Sequence, residues 1–510
     1  MDEYRVFTWD KKRFPDPPKM LADLKKDGFR TVLIIDPGVK VDPNYHAYAD
    51  GKQKGIFIKN PDGTELNRDV WPRAAAFADF TDPKGREWFG SFYKQHLDEG
   101  VAGFWTDMNE PGVFMTEKSA KPEIFHHPEK TFPYDTPHAG DGLPDTHRRY
   151  HNVYGMQMAR ATFEANRKLA PDKRPFVLTR AGFAGVQRYA AVWTGDNYAG
   201  WEHLALSIPM LANMSVSGVP FVGCDVGGFA DMPSGELYAR WLQAAALTPF
   251  LRSHSVGWVG NKEAWEFGDE FTKINRASVE LRYQFLPYIY SLFREHERSG
   301  APVMRPLWYE FPNDKQTYLI NDQYMVGGDI LVAPVVKEGM RTRGIYLPVG
   351  AEWIDWWTGA KLESGKTHYL QTPLDRLPLF VRVGSVVPTQ NVIQHTGEMP
   401  GAVITLNIAA GIGEGKTETT DLFQDAGEGY GYRRGDSRDI VITHKRGLIS
   451  IERKGSFAGQ RMGFVEILGL AAKPKEIFAD GRKMDFDYDA DKKRLRFRLK
   501  GDEKELTMVR

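Results

Sequence analysis

Six short runs in this chain end in a residue that can carry charge or move a proton. They are TVLIID ending at Asp36, GFWTD at Asp107, PFVLTR at Arg180, AAVWTGD at Asp196, VPFVGCD at Asp225 and TPFLRSH at His254. One Asp at such a place is more often a turn former than a catalyst. Six polar ends aimed at one face are another matter. Asp107, Asp196 and Asp225 gathered together would repel one another unless cations or protonation relieved them, and Arg180 and His254 are expected to supply that relief. Such surroundings split carboxyl pKa values, leaving one acid ionised and another protonated at neutral pH. A carboxylate nucleophile and a carboxylic acid donor, one on either side of the bond, are the equipment for cleaving a glycosidic bond. Trp71, Trp105, Trp193 and Phe229 offer an apolar wall shaped for a sugar ring, which would also exclude water and raise the acid's pKa. In the stretch 100–111, GVAGFWTDMNEP, a buried run places both Asp107 and Glu110 near its tip. The residues alone do not choose between these two carboxylates.

The runs themselves are apolar and β-branched, so they read as strands. Between several of them lie helical stretches: 84–100, with Asp82 and Pro83 as a start and Gly100 as a stop, then 150–170, 201–218 and 234–247. Strands alternating with helices imply a parallel sheet, and continuously apolar strands imply burial on both faces. Functional residues at the strands' C-terminal ends imply a TIM-type barrel, whose chemistry gathers there. A barrel needs eight strands, and six are read here, preceded by one extended piece, YRVFTWD (4–10). Arg180 and Asp196 are 196 − 180 = 16 residues apart. No crossover helix of ordinary length fits between them, so a short tight connection must join their strands. Beyond about residue 300 the texture becomes all-β, with short runs such as DILVAPVV, RGIYLPVG, AVITLNIA and RLRFRLK between Gly and Pro. The expected organisation is an α/β catalytic barrel over 1–299, a proximal β-sandwich over 300–394 and a distal one over 395–510, divided near QHTGEMPG.

Composition narrows the classes. The chain has 510 residues with 67 basic and 67 acidic side chains, so its net charge is zero. That balance points to no nucleic-acid partner and no anionic membrane surface. One cysteine, Cys224, excludes an intrachain disulfide framework and reads as a small buried apolar residue. The N-terminus lacks an apolar signal core, which with the single cysteine favours the cytoplasm. AGIGEGKTE (410–418) imitates a phosphate loop, but Ala410 stands where its first Gly is needed and no amphipathic helix follows. DYDADKK (487–493) imitates a calcium loop without the required Gly, and Arg498 stands where the bidentate Glu belongs; a hairpin turn is expected. His126 and His127 have no carboxylate or thiol at metal spacing and read as a loop pair.

WTDMNEP (105–111) and TRAGFAGVQRYAAVWTGDN (179–197) together resemble glycoside hydrolase family 31, the retaining α-glucosidases and α-xylosidases. FTWDKKRFPDP (7–17), VWP with AFADFTDP (70–83), PFVGCDVGGF (220–229), RSHS (252–255), WEFGDE (265–270), YLPVGAEWIDWWTG (346–359) and PLFVRVGSVVP (378–388) extend that resemblance along essentially the whole chain. The resemblance implies Asp107 as nucleophile and Asp196 as general acid, then base. It implies Arg180 and His254 as ligands of sugar hydroxyls, with Arg180 near enough to keep Asp107 ionised. It implies Asp36, Trp71, Trp105, Met108, Trp193, Asp225 and Phe229 around the non-reducing sugar, with Glu110 and Asn109 supporting the loop. The two acids must then face each other across one sugar-sized cavity. No metal and no organic cofactor are implied. The implied substrate is an α-gluco-oligosaccharide; a xyloside substrate or glucosyl transfer stays within the same family, and an inactive fragment that binds carbohydrate or a partner chain is the reading from another class.

The chain also departs from the family. Members carry an N-terminal β-sandwich and two further barrel strands, the second ending in W-x-D-I-D-Y-M, whose first Asp binds the sugar. This chain begins at about the place where that signature ends. The expectation is therefore a (β/α)8 barrel lacking its first two strands, with exposed strand edges and association with an N-terminal portion. Arg73, where Gly commonly follows WP, and Ala264, where Pro often stands, are expected to matter little.

Overall fold

A computed structural model describes residues 1–114, 130–413, 416–445 and 447–509. The chain divides into two compact units, Met1–Trp193 with Glu428–Tyr430, and Thr194–Gly427 with Gly431–Arg510. The first unit opens with α1 (Pro17–Lys26), β1 (Val32–Ile35), β2 (Gly38–Lys40) and α2 (His46–Gln53). It continues through β3 (Asn67–Val70), β4 (Arg73–Phe77), α3 (Pro83–Ser91), α4 (Tyr93–Glu99) and β5 (Gly103–Thr106). It ends with β6 (Pro137–His138), β7 (Asp145–Thr146), α5 (His147–Leu169), β8 (Val177–Thr179) and β9 (Ala191–Trp193).

The strands β1, β5, β8 and β9 lie parallel, side by side in that order. Their apolar character is explained by burial: Phe104, Val177, Leu178 and Val192 are all nearly inaccessible. At Gly103 the packing leaves no room for a side chain, since a Cβ there would sit 2.8 Å from the Phe176 carbonyl oxygen. The expected short connection between Arg180 and Asp196 takes the form of a single 3-10 turn, Val186–Arg188, between β8 and β9. Helix α3 starts as its sequence signals, with the Asp82 carboxylate accepting from the Lys84 N–H at 2.9 Å and Pro83 in the first turn. Helix α4 stops at Gly100 with φ 108°.

Three features of this unit differ from the sequence reading. The stretch 84–100 is two helices, parted at Phe92, whose N–H turns back to the Phe89 carbonyl. The apolar spacing runs unbroken across that joint, so nothing in the pattern marks it. YRVFTWD is no strand: Tyr4 and Phe7 take φ of 59° and 61°. Phe7 is instead drawn into an aromatic cluster, with its ring 5.0 Å from Phe89, 5.3 Å from Phe92 and 5.2 Å from Tyr93. Finally, β2, β4 and β3 form an antiparallel sheet that the reading passed over, with Trp71 and Pro72 as the two-residue link between β3 and β4. Arg73, which closes that link, takes φ 70°. A residue that was expected to matter little therefore holds a backbone conformation suited to Gly.

The second unit contains α6 (Trp201–Val216), β10 (Val222–Gly223), β11 (Asp225–Val226), α7 (Gly235–Ala245), β12 (Arg252–Ser253) and α8 (Asp269–Ser299). Strands β11 and β12 are parallel, with Asp225 opposite Arg252. Helix α7 is capped by Ser234, whose hydroxyl accepts from the Leu237 N–H at 3.2 Å. Cys224 is buried in the core beside Trp241, whose indole N–H donates to its sulfur at 3.4 Å. Burial pushes the thiol up to about 11, which agrees with the small apolar role expected for it. Past α8 the unit is mainly sheet, with one short helix, Leu307–Glu310. A six-stranded antiparallel sheet uses residues from Met304 to Arg382, and two further sheets of five and six strands use Val386 to Val509. The strands change sheet between Arg382 and Val386, ahead of QHTGEMPG, most of which forms the 3-10 turn Thr396–Gly401. The calcium-loop imitation is the expected hairpin, with Asp489 opposite Arg494. After the phosphate-loop imitation comes a strand, Glu418–Gln424, rather than a helix. His126 and His127 lie outside the described residues. No described helix is long and apolar enough to cross a membrane.

Candidate active site

In the first unit the strand register does the assembling. Ile35 stands opposite Thr106, Thr106 opposite Thr179, and Thr179 opposite Val192. The next residue on each strand is Asp36, Asp107, Arg180 or Trp193, so four of the expected site residues share one C-terminal edge. There the Arg180 guanidinium serves two carboxylates. Its Nη1 lies 3.0 Å from Asp107 Oδ1, while Nε and Nη2 donate to Glu110 Oε1 and Oε2 at 2.6 and 3.0 Å. Nη2 also donates to the Met108 sulfur at 3.0 Å. The Arg180 and Asp107 side chains are each 16 % exposed, dry enough to strengthen the attraction and open enough for a ligand to reach.

Beside this pair lies Asp36, buried at 6 % exposure, whose Oδ1 has no hydrogen-bond partner among the described residues. Burial, and then the charges of Asp107 and Glu110, push its carboxyl well above the usual range, with Arg180 opposing them. Behind the edge, buried Asn109 ties the loop down. Its Nδ2 donates to Thr179 Oγ1 at 2.9 Å and its Oδ1 accepts from the Ala181 N–H at 3.0 Å. This anchor and the Glu110–Arg180 fork hold the tip on which Asp107 and Met108 sit; Met108 takes φ 53° and its N–H donates to Asp107 Oδ1 at 2.8 Å. Trp105 and Trp193 meet edge to face at 5.5 Å. Trp71 is placed differently, 42 % exposed at the β3–β4 link, stacked on Tyr4 at 6.1 Å and edge-on to Phe114 at 5.0 Å.

The second unit gathers Asp196, Asp225, Phe229 and His254. Asp225 is fully buried, and its Oδ1 is held by Arg252 Nε and Nη2 at 2.8 and 2.7 Å. Asp196 is exposed, between Gly195 with φ 81° and Asn197. Asn197 fixes that loop: its Nδ2 donates to the Asp225 carbonyl at 3.0 Å, and its Oδ1 accepts from the Phe229 N–H at 2.9 Å. The His254 ring lies 5.5 Å from Phe229. Burial, and then the cations Arg252 and Lys262, push His254 down to about 4. The expectation that His254 supplies positive charge is therefore corrected. It is a neutral imidazole at neutral pH, and the cations here are Arg252 and Lys262. Lys262 is buried at 4 % exposure, donates to the Gly228 carbonyl at 2.7 Å, and is pushed down to about 8 by burial.

Arg252, Lys262 and Asn197 are the residues that the sequence reading passed over. Arg252 had a signal: it stands two places before His254 in RSHS, the spacing that puts two side chains on one side of an extended chain. Lys262 and Asn197 had none, because their importance comes from what folding buries around them. Asp107 belongs to the first unit and Asp196 to the second. Among the described residues, no group of three or more His, Cys, Asp or Glu side chains could hold a metal ion.

Residues 1–292 match the glycosyl hydrolases family 31 TIM-barrel domain, and residues 300–387 match the glycosyl hydrolase family 31 C-terminal domain. Alpha-glucosidase 2 of Bacillus thermoamyloliquefaciens is 44 % identical over 451 residues, covering 88 % of this chain and 55 % of that protein. Among solved structures, a family 31 dextranase of Flavobacterium johnsoniae complexed with glucose superposes with TM-score 0.88 at 30 % identity, covering 100 % of this chain and 66 % of the other. A family 31 α-xylosidase of Xanthomonas citri superposes with TM-score 0.81 at 28 % identity, covering 99 % and 54 %. The chain spans about half the length of the Bacillus protein.

Proposed function

The chain belongs to glycosyl hydrolases family 31, and from that premise we propose that it is a retaining, exo-acting α-glucosidase releasing terminal α-linked glucose from oligosaccharides. In this reading the Asp107 carboxylate attacks the anomeric carbon while Asp196 protonates the departing oxygen, giving a covalent glycosyl–enzyme. Asp196, now a carboxylate, takes a proton from water, and the water displaces Asp107 with overall retention. The observation that carries the reading is the shared strand edge of Asp36, Asp107, Arg180 and Trp193. Arg180, 3.0 Å from Asp107, favours the ionised nucleophile, and the Glu110 fork sets the guanidinium plane. Asp36, pushed toward its neutral form, can donate to a sugar hydroxyl without adding negative charge near the nucleophile. Neutral His254 can likewise both donate to and accept from hydroxyl groups.

The likeness to a solved α-xylosidase keeps xyloside hydrolysis as a second reading; the two differ in whether the pocket accepts a CH2OH group. The test is hydrolysis of p-nitrophenyl α-glucoside and α-xyloside by the 510-residue chain, with Asp107→Ala and Asp196→Ala beside it. Both substitutions are expected to lower kcat by roughly 10³-fold or more, and azide should rescue Asp196→Ala by replacing water. A folded chain inert on both glycosides sinks the proposal and favours a module that only binds carbohydrate or a partner.

A further inference from the structure

Three loops of the second unit are laced together around Phe229 and Ala230. The Phe229 and Ala230 amides both donate to the Asn197 carbonyl, at 2.8 and 3.0 Å. The Ala199 amide donates to the Ala230 carbonyl at 2.9 Å, and the Val256 amide to the Phe229 carbonyl at 3.0 Å. These are the loops that carry Asp196, Phe229 and His254. Each also displays an apolar side chain to solvent: Tyr198 at 51 %, Met232 at 50 % and Trp258 at 75 % exposure.

Trp258 is the most exposed of these, and its display is built. The Val259 amide donates to the Val256 carbonyl at 3.1 Å, closing a turn with Gly257 and Trp258 as its central residues. Val256 is itself pinned to Phe229, so the indole stands out on a short, twice-anchored turn. It stands four positions after His254, so their α-carbons are within about 15 Å, roughly the span of two or three sugar rings. A single exposed apolar residue is ordinary on a protein surface, but three on loops bonded to one another and carrying Asp196, Phe229 and His254 mark a binding surface. The flat indole face matches the apolar C–H face of a glucopyranose.

We infer that Trp258, with Tyr198 and Met232 on the loops bonded to its own, forms a rim that takes the glucosyl units following the cleaved residue of an α-gluco-oligosaccharide. The rim sets chain-length preference without acting on the bond that breaks. The inference rests on the proposed activity and adds to it the residue that reads the leaving-group side of the substrate.

The test compares maltotriose and isomaltotriose, which reach such a rim, with α-glucosyl fluoride, which has no leaving-group sugar. Trp258→Ala should lower kcat/KM for the better trisaccharide about tenfold, the scale of one lost ring contact. It should act mainly through KM and leave α-glucosyl fluoride within about twofold. Trp258→Phe should restore much of the loss. Tyr369→Ala, which removes an aromatic ring of similar exposure (79 %) from the strand Lys366–Gln371, should change neither. If Trp258→Ala lowers both substrates equally, or neither, the inference is overturned. A wild-type chain that turns over none of these substrates refutes the activity instead. The rim is then read by calorimetric titration with the trisaccharides, where weaker binding by Trp258→Ala than by Tyr369→Ala supports it and equal binding overturns it.

Discussion

The two units each present an arginine–carboxylate pair at the ends of parallel strands, and they balance charge in opposite directions. In the first, one guanidinium, Arg180, answers to Asp107 and Glu110, and the surplus negative charge helps push Asp36 up. In the second, one carboxylate, Asp225, is gripped by Arg252 with Lys262 close by, and the surplus positive charge helps push His254 down. The outcome has the same form on both sides. The charged groups are paired, and the extra acid or base is driven toward neutrality by burial and a like charge. That combination suits a ligand that is uncharged but covered in hydroxyl groups, because neutral donors and acceptors recognise hydroxyls without demanding a counter-charge.

If the first unit is the reactive side, Arg180→Met should be the most damaging change to it. We expect kcat/KM to fall by about 10²- to 10³-fold, as for loss of one preorganised charge contact, with little loss of melting temperature because the pair is partly exposed. A variant with near-normal activity would break the comparison. The second unit should respond the other way round. Arg252→Met removes the guanidinium that grips the buried Asp225 carboxylate, and urea unfolding should show about 3 to 5 kcal/mol less stability; an unchanged midpoint would mean that Asp225 is not ionised there. Acid titration of stability sharpens the contrast. The His254 value is depressed from 6.5 to about 4, so between those values the unfolded chain binds more protons than the folded one. His254 therefore contributes stability that is present above pH 6.5 and lost as pH falls toward 4. His254→Asn should make the decline of melting temperature over that window shallower by about one proton's share. His147, which burial and then His138 push down to about 3, adds its own share to the same acid limb and should be unaffected. The smallest expected effect concerns the backbone. The second unit turns its site loops at Gly195, Gly227 and Gly228, with φ of 81°, 80° and 84°, whereas the first uses Met108 at 53° and Arg73 at 70°. Arg73→Gly should relieve strain by about 1 kcal/mol in thermal unfolding, and no gain at all would show that the β3–β4 link takes its shape from its packing.

What the sequence yields and withholds follows the same physics. The ends of β1, β5, β8 and β9 were readable because a two-face-buried strand must be apolar and any polar residue at its tip stands out. The short β8–β9 connection was readable from spacing alone. The break at Phe92 was not, because aromatic residues on both sides continue one apolar stripe. The failure of YRVFTWD to form a strand was invisible locally, since its cause is a cluster with Phe89, Phe92 and Tyr93 far along the chain. The charge of His254 was misread for a related reason. A histidine near carboxylates is expected to gain a proton, but burial, and then Arg252 and Lys262 brought in by folding, reverse the sign. Residues whose roles come from their own type could be named in advance. Those whose roles come from their neighbours, such as Lys262 and Asn197, could not.

Cys224 turns the fold into its own stopwatch. The chain has a single sulfhydryl, sealed in the core and raised to about 11, so an alkylating label meets almost no thiolate while the second unit stays closed. Each labelling event then records one excursion to an opened state, and its frequency measures how often the molecule breathes under working conditions, without denaturant.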